Sequence, residues 1–137
     1  MQRMTTIFTK IINREIPAQF IYEDDICIAI MDKFPSVPGQ SMIILKREVD
    51  YIFNLTTEEY EHLFLIAKKI AQATDQALAV ERTCLVVEGF EVPHVHIKLY
   101  PIKEVGDATS LTSIAGQRSE KTDAELSLIA QDIISAL

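Results

Sequence analysis

Polar and apolar residues alternate strictly from position 93 to position 100, and this is the clearest pattern in the chain. Alternation with a period of two predicts a half-buried β-strand, here residues 94–102, whose side chains point to opposite faces in turn. The apolar face consists of Val95, Ile97 and Leu99. The polar face consists of His94, His96, Lys98 and Tyr100. Two imidazoles and an ammonium group on one face suit an anionic ligand such as phosphate.

Four further strands are predicted upstream, because short apolar runs are bounded there by turn residues. They cover residues 20–24, 26–32, 41–46 and 83–87. Residues 42–45 are apolar throughout, so we expect the third of these strands to be covered on both faces of the sheet.

Helical periodicity predicts one long helix, one C-terminal helix and a short helical turn at residues 7–13. Thr56 and Glu59 form a capping box at the start of the long helix, and apolar residues recur at helical spacing after them. Thr122 and Glu125 form a second capping box ahead of the last helix. The order of these elements predicts an α+β fold, with a five-stranded antiparallel sheet, one long covering helix and a C-terminal helix.

Length and composition fit one domain spanning residues 1–137. Residues 104–118 are polar and rich in Gly, Ser and Thr, so we expect a mobile loop there. The chain has 13 basic and 20 acidic residues, which argues against non-specific binding to nucleic acid. Its apolar runs are far shorter than the roughly 20 residues that cross a bilayer, and no secretory segment is recognisable. We therefore expect a cytoplasmic protein that has no membrane partner.

Several side chains have simple structural interpretations. Cys27 and Cys84 each lie in an apolar run, where two buried, reduced thiols are expected. The chain has no Cys-x-x-Cys pair, which argues against the common type of structural zinc site. His62 falls beside Glu58 on the long helix and is expected at the surface or an edge. Glu48 belongs to a set of acidic residues that we expect to face solvent.

Four roles are open for the pair of histidines. The first is purely structural, as ordinary residues of an edge strand. The second is metal binding, in which two imidazole nitrogens need at least one further ligand. Glu91 is the nearest acidic candidate for that ligand, but the ammonium group of Lys98 would repel a cation.

The third role is nucleophilic catalysis at phosphorus. Neutral imidazole is available near pH 7, because its ordinary pKa is about 6.5. Its attack would give a phosphohistidine-type intermediate that water then cleaves. Lys98 would stabilise the phosphoryl oxygens as a point cation. The fourth role uses the same pocket to bind a nucleotide without turnover.

The chain resembles the histidine triad (HIT) superfamily of nucleotide hydrolases and transferases. The signature of that family alternates three histidines with apolar residues, and residues 94–100 match it with Lys98 in place of the third histidine. Further blocks resemble the family in the same order, at residues 7–17, 22–25, 29–32 and 35–46. The resemblance covers residues 5–102, so that residues 104–137, the expected loop and C-terminal helix, lie outside the matched motifs.

This resemblance implies a role for each candidate residue. His96 corresponds to the nucleophile toward the α-phosphate of a purine nucleotide, and His94 would help to hold and polarise the site. Asp32 would accept hydrogen bonds from the ribose hydroxyls. Gly89 and Glu91 belong to the turn that faces the leaving group. The walls of the base pocket would be Ile7, Phe8, Ile11 and Ile30.

Departures from the family pattern bear on activity. Lys98 keeps a cation but loses a titratable nitrogen, so phosphate binding can survive while turnover falls. Thr9 stands where some members carry a zinc-binding cysteine, and Gln40 where many carry a histidine, so no metal is expected. A carboxylate at Glu91 is unfavourable beside phosphate unless it is protonated, turned away or used as a base.

The resemblance implies a homodimeric hydrolase without a cofactor. Its substrates would be nucleoside phosphoramidates, adenylates or dinucleoside polyphosphates, cleaved through a nucleotidyl-histidine intermediate. Lys98 motivates an alternative, in which the chain is a non-catalytic nucleotide-binding sensor or interaction protein.

Overall fold

The computed structural model describes residues 5–103 and 118–137. The strands are β1 (Phe20–Glu23), β2 (Cys27–Met31), β3 (Ser41–Leu45), β4 (Arg82–Val86) and β5 (His96–Ile102). The helices are α1 (Ile7–Ile12), α2 (Thr57–Leu78) and α3 (Asp123–Ala136), with a 3₁₀ turn at Ile52–Asn54. The strands form one antiparallel sheet in the order β1-β2-β3-β5-β4. The predicted α+β fold is thus confirmed.

Two predictions concern residues outside these ranges. The loop expected at 104–118 lies outside the described residues except for Arg118. That residues 1–137 form a single domain therefore stays a prediction. Within the described ranges, no helix is both long enough and apolar enough to cross a membrane.

Both predicted capping boxes are present and set where the longer helices begin. The Thr56 hydroxyl accepts from the Glu59 amide at 3.1 Å, while the Glu59 carboxylate accepts from the Thr56 amide at 3.0 Å. Thr122 and Glu125 exchange the same pair of bonds at the start of α3. Each box satisfies amide groups that the first turn of a helix leaves without a partner.

Alternate residues of the central strands enter two separate cores. In β2, Cys27, Ala29 and Met31 face one side of the sheet, whereas Ile28 and Ile30 face the other. All residues of β2 and β3 are buried, so β3 is covered on both faces as predicted.

The larger core lies between the sheet and the helices α2 and α3, and we call this side the helix face. Leu63, Ile66 and Ile70 of α2 pack there beside Leu126 and Ile133 of α3. Each fully buried Leu or Ile contributes roughly 1.5–3 kcal/mol by leaving water.

The smaller core lies on the opposite side, under the short helix α1, and we call this side the α1 face. Its buried residues are Phe8, Ile11, Ile28, Ile30, Met42 and Ile44. Because α1 has six residues, it covers only part of the sheet.

The start of the histidine strand differs from the prediction. β5 begins at His96, opposite Ile44 of β3, and not at His94. The Val95 amide leaves the regular ladder and donates to Val49 O at 2.7 Å, while the Val95 carbonyl still accepts from the Leu45 amide of β3 at 3.2 Å. Two residues of the predicted strand therefore form a connection in which side chains need not alternate between the faces.

The loop from β2 to β3 rests on the end of α2 at Gly39. This glycine has φ +86°, and a Cβ atom there would lie 2.2 Å from Leu78 Cδ1 and 3.2 Å from Pro101 Cγ. A left-handed backbone and a close neighbour both select glycine at this position.

Candidate active site

A cavity of about 380 Å³ opens on the α1 face. This volume lies within the range of small-molecule sites. Most of the candidate residues predicted from the sequence line it, namely Ile7, Phe8, Ile11, Ile30, Asp32, Glu91, His96 and Lys98. The exceptions are His94 and Gly89. Arg118 and Leu126, from the C-terminal part of the chain, complete one wall.

His96 presents one unprotonated ring nitrogen. Its Nδ1 lies 2.7 Å from the backbone oxygen of His94, and a carbonyl oxygen only accepts, so Nδ1 carries the hydrogen. Burial lowers the pKa of His96 below its ordinary value, which keeps the ring neutral at pH 7. Nε2 then retains its lone pair. The Phe8 ring packs edge-on against the imidazole, with centroids 4.8 Å apart.

The ring of His94 is buried beside the site and does not line the cavity. Its Nε2 donates to Leu45 O at 2.6 Å, and Thr6 Oγ1 donates to its Nδ1 at 2.7 Å. The prediction that both imidazoles lie on one face with Lys98 is therefore wrong for His94. The reason is that His94 precedes β5, where its ring turns inward and both nitrogens find partners. It contacts His96 through its backbone oxygen.

A polar chain holds α1 above this histidine. The Thr9 hydroxyl and the Thr6 amide both donate to Glu48 Oε1, the latter at 3.3 Å. The expectation that Glu48 simply faces solvent is thus wrong. No sequence signal marks it, because the partners lie about 40 positions away in the chain.

Asp32 enters the same cavity with its carboxylate held in place. Oδ1 accepts from the Phe34 amide at 2.8 Å, and Oδ2 accepts from Gln40 Nε2 at 2.7 Å. Gln40 is itself fixed, because its Oε1 accepts from the Ser36 amide at 2.7 Å. Each carboxylate oxygen has a second acceptor position, so Asp32 can still receive two hydroxyl groups.

Two ion pairs flank the histidine. Lys98 Nζ lies 3.3 Å from Glu88 Oε1, and the lysine side chain is 13% exposed. Arg118 makes a two-pronged contact with Glu91 at 2.9 and 3.0 Å. The Arg118 hydrogen bonds lower the pKa of Glu91, so this group is a carboxylate at neutral pH. Sequence reasoning missed Arg118, because it lies beyond every recognisable motif.

Gly89 shapes the turn that carries Glu91 without lining the cavity. Its φ is +87°, a conformation that an L-residue with a side chain rarely adopts. A Cβ atom there would make only ordinary contacts, at 3.7 Å from Asp50 O and 3.8 Å from Val92 O. Backbone conformation therefore explains the glycine, and lack of space does not.

One group of described side chains has the donor types of a metal site: Asp24, Cys27 and His62. The carboxylate of Asp24 already has four hydrogen-bond partners within the protein. Its Oδ2 contacts His62 Nε2 at 2.6 Å and accepts from Tyr22 at 2.7 Å, while Oδ1 accepts two backbone amides. Burial raises the pKa of Cys27 to about 12, so its thiol stays protonated. We assign no metal to this group. His62, predicted at the surface or an edge, is partly buried by its contact with Asp24.

Sequence comparison finds relatives that match about two thirds of this chain. An uncharacterized HIT-like protein of Synechocystis sp. is 36% identical over 101 residues, covering 69% of this chain and 87% of the relative. An uncharacterized HIT-like protein of Synechococcus elongatus is 39% identical over 100 residues, with the same coverage.

Solved structures share the fold over nearly the whole chain. A Hit-like protein involved in cell-cycle regulation from Bartonella henselae, solved with an unknown ligand, has a TM-score of 0.86 at 27% identity. That comparison covers 99% of this chain and 98% of the other. A hypothetical histidine triad nucleotide-binding protein from Sulfolobus tokodaii has a TM-score of 0.81 at 23% identity, covering 94% and 89% of the two chains. The sequence model of the HIT domain matches residues 13–105. This chain therefore belongs to the HIT domain family.

Proposed function

We propose that this chain is a cytoplasmic nucleotide-binding hydrolase that cleaves its substrate at the α-phosphate. Proteins of the HIT family are generally nucleotide-binding hydrolases. The observation that carries the proposal is the neutral imidazole of His96, whose free Nε2 belongs to a cavity that also holds Asp32 and Lys98.

The cavity suits the parts of a purine nucleoside monophosphate unit. Asp32 accepts hydrogen bonds from the two ribose hydroxyls, and Lys98 lies beside His96 for the phosphate. The base packs against an apolar wall formed by Ile7, Phe8, Ile11 and Ile30. Aromatic and branched side chains of this kind supply most of the contact area in small-molecule sites.

The proposed reaction proceeds in two displacements at phosphorus. His96 Nε2 donates its lone pair to the α-phosphorus, and the leaving group departs with the electrons of its bond to phosphorus and takes up a proton from solvent. Water then attacks the nucleotidyl-imidazole, which releases the nucleoside monophosphate and the neutral ring. The bond from Nδ1 to the His94 backbone oxygen orients the ring and stabilises the positive charge that develops on it.

Lys98 favours a second candidate function, that of a nucleotide-binding sensor without turnover. We propose that it occupies the place of a third histidine of the triad. Its ammonium group can bind a phosphate oxygen, but Glu88 competes for it at 3.3 Å.

We also propose a homodimer. β4 is an edge strand of the sheet, and its Leu85 is 43% exposed. Leu65 of α2 and Phe53 of the 3₁₀ turn are also exposed, at 63% and 69%. Light scattering coupled to size-exclusion chromatography tests this directly, and a monomer mass at micromolar concentration would contradict it.

The function is tested with adenosine 5′-phosphoramidate, by chromatographic detection of AMP. We expect wild-type protein to release AMP and His96→Ala to lose on the order of 10³-fold or more in kcat, the range seen when a nucleophile is removed. His62→Ala is the matched control, because that histidine pairs with Asp24 away from the cavity.

Equal rates in wild type and His96→Ala would remove His96 from the mechanism. Calorimetric binding of AMP without turnover of a phosphoramidate, an adenylate or a dinucleoside polyphosphate would instead establish the sensor. In that case a gain of activity in Lys98→His would identify the lysine as the cause.

A further inference from the structure

A short segment at residues 118–123, which we call the C-terminal strap, crosses the rim of the cavity. The Ser119 amide donates to Pro35 O at 3.3 Å, and the Lys121 amide donates to Lys33 O at 3.1 Å. Lys33 also pairs with Asp123 at 3.2 Å. These contacts place Arg118, at the start of the strap, in the cavity wall.

Arg118 lines the same cavity as Asp32, His96 and Lys98. Its partner Glu91 lines that cavity too, and the charge of Lys98 adds to the lowering of the Glu91 pKa by the Arg118 hydrogen bonds. The guanidinium group of Arg118 therefore shares one cavity with the Asp32 carboxylate and the His96 imidazole.

The charges of the described cavity explain why a second cation is needed there. Lys98 is the cation that accompanies His96, and an α-phosphate would occupy it. Glu91 carries a negative charge beside the same position, so by itself it would repel any leaving group that is also anionic. Arg118 cancels that charge through its two-pronged contact.

The ion pair between Arg118 and Glu91 can open at little energetic cost, so that Arg118 can bind another anion. Arg118 is 48% exposed and Glu91 is 55% exposed. Ion pairs that are this accessible to water contribute little to stability, so opening the pair costs little. A guanidinium group binds phosphate oxygens with the same two-pronged geometry that it uses for a carboxylate.

We propose that Arg118 is a specificity-determining residue that binds a phosphorylated leaving group, and that Glu91 holds its guanidinium group in place until the substrate arrives. This inference rests on the proposed function and names the substrate class that the same site prefers. The preferred substrate carries further phosphates beyond the one attacked, as in a dinucleoside polyphosphate.

Two substrates that differ in the leaving group test the proposal. Diadenosine tetraphosphate loses a polyanion as its leaving group, whereas adenosine 5′-phosphoramidate loses ammonia. We expect Arg118→Gln to lower kcat/KM about 10- to 100-fold for the first substrate and less than about threefold for the second, as loss of a charge-assisted bond predicts. Arg82→Gln, an exposed arginine of β4 with the same change of charge, is expected to leave both rates unchanged.

The double variant Glu91→Gln with Arg118→Gln distinguishes attraction of the leaving group by Arg118 from its repulsion by Glu91. Because it also removes the carboxylate that Arg118 neutralises, we expect it to recover part of the rate that Arg118→Gln loses on diadenosine tetraphosphate. Equal losses on both substrates, or no loss on either, would overturn the role of Arg118.

Failure of the proposed function has a different signature. If wild-type protein binds both compounds but cleaves neither, the hydrolase is excluded, and the same comparison of variants is then made with the Kd values for the two compounds. A selective loss of affinity for diadenosine tetraphosphate supports Arg118 in that case, and an unselective effect overturns it. Wild-type protein that bound neither compound would overturn both proposals.

Discussion

The two faces of the sheet differ in what covers them. On the helix face, α2 and α3 bury a continuous set of aliphatic side chains. On the α1 face, a helix of six residues covers a smaller core, and the remaining area is a cavity that contains His96 and Asp32. The same strands supply both sets, since neighbouring residues of β2 and β3 point to opposite sides.

Because of this difference, most of the stabilising apolar burial lies on one face of the sheet and the candidate site lies on the other. The helix face provides most of the apolar burial that holds the sheet, because two helices pack on it. The α1 face leaves room for a ligand, because its cover is incomplete. Changes on the helix face should therefore alter unfolding without altering binding, whereas exchanges of exposed polar atoms that line the cavity should mainly alter binding.

The largest effect is expected from Leu63→Ala on the helix face. Leu63 of α2 is fully buried in the larger core, so the variant should lose about 2–5 kcal/mol of unfolding free energy through the cavity it creates. Urea denaturation measures this loss. Leu128→Ala on α3 is the matched control, because Leu128 is 72% exposed and its truncation should cost less than about 0.5 kcal/mol.

The affinity for AMP of the folded Leu63→Ala protein should equal that of the wild type. If Leu63→Ala weakened AMP binding at a temperature where it remains folded, the separation between the faces would not hold.

A smaller effect, on binding rather than on stability, is expected from Asp32→Asn on the α1 face. An amide offers one oxygen where the carboxylate offers two, so the affinity for AMP should fall about tenfold through loss of a charge-assisted bond. Isothermal titration calorimetry measures it. Asp25→Asn, in the exposed turn between β1 and β2, is the control with the same change of charge. An unchanged Kd in Asp32→Asn would exclude the ribose contact.

The smallest effect is expected from pH, again through the α1 face. Burial lowers the pKa values of both His94 and His96 in the folded protein. Well above pH 6.5 both histidines are neutral in the folded and unfolded states. As the pH falls below 6.5, the unfolded chain binds protons that the folded protein does not, so the free energy of unfolding decreases.

Urea denaturation at pH 7 and pH 6 measures this change. The carboxylate of Glu59, whose pKa is lowered to about 2, does not contribute in that interval. A free energy of unfolding that rises from pH 7 to pH 6 would contradict the burial of neutral imidazoles.

The fold was largely predictable because its signals are local. The capping boxes at Thr56 and Thr122 use residues three positions apart, and the strands follow from short apolar runs. The precise start of β5 was not predictable, because it depends on Val95 donating to the distant Val49.

The site was predictable only in part, for the same reason. A motif of the family points to His96 and Asp32, and both line the cavity. The orientation of the His94 ring depends on Thr6 and Leu45, which are remote in sequence. Arg118 and Glu91 are 27 residues apart in the sequence, and no local sequence pattern predicts their contact.

At Gly39, the end of helix α2 packs against the loop that holds Asp32 in the cavity. Its missing side chain lets the β2–β3 loop lie against Leu78 of α2, and the next residue, Gln40, holds Asp32 through both its backbone and its amide. A side chain added at this point would be strained by the positive φ and would crowd Leu78 and Pro101, one residue before the glutamine that holds Asp32. The position of a carboxylate in the cavity thus depends on how closely a loop can approach the end of a packing helix.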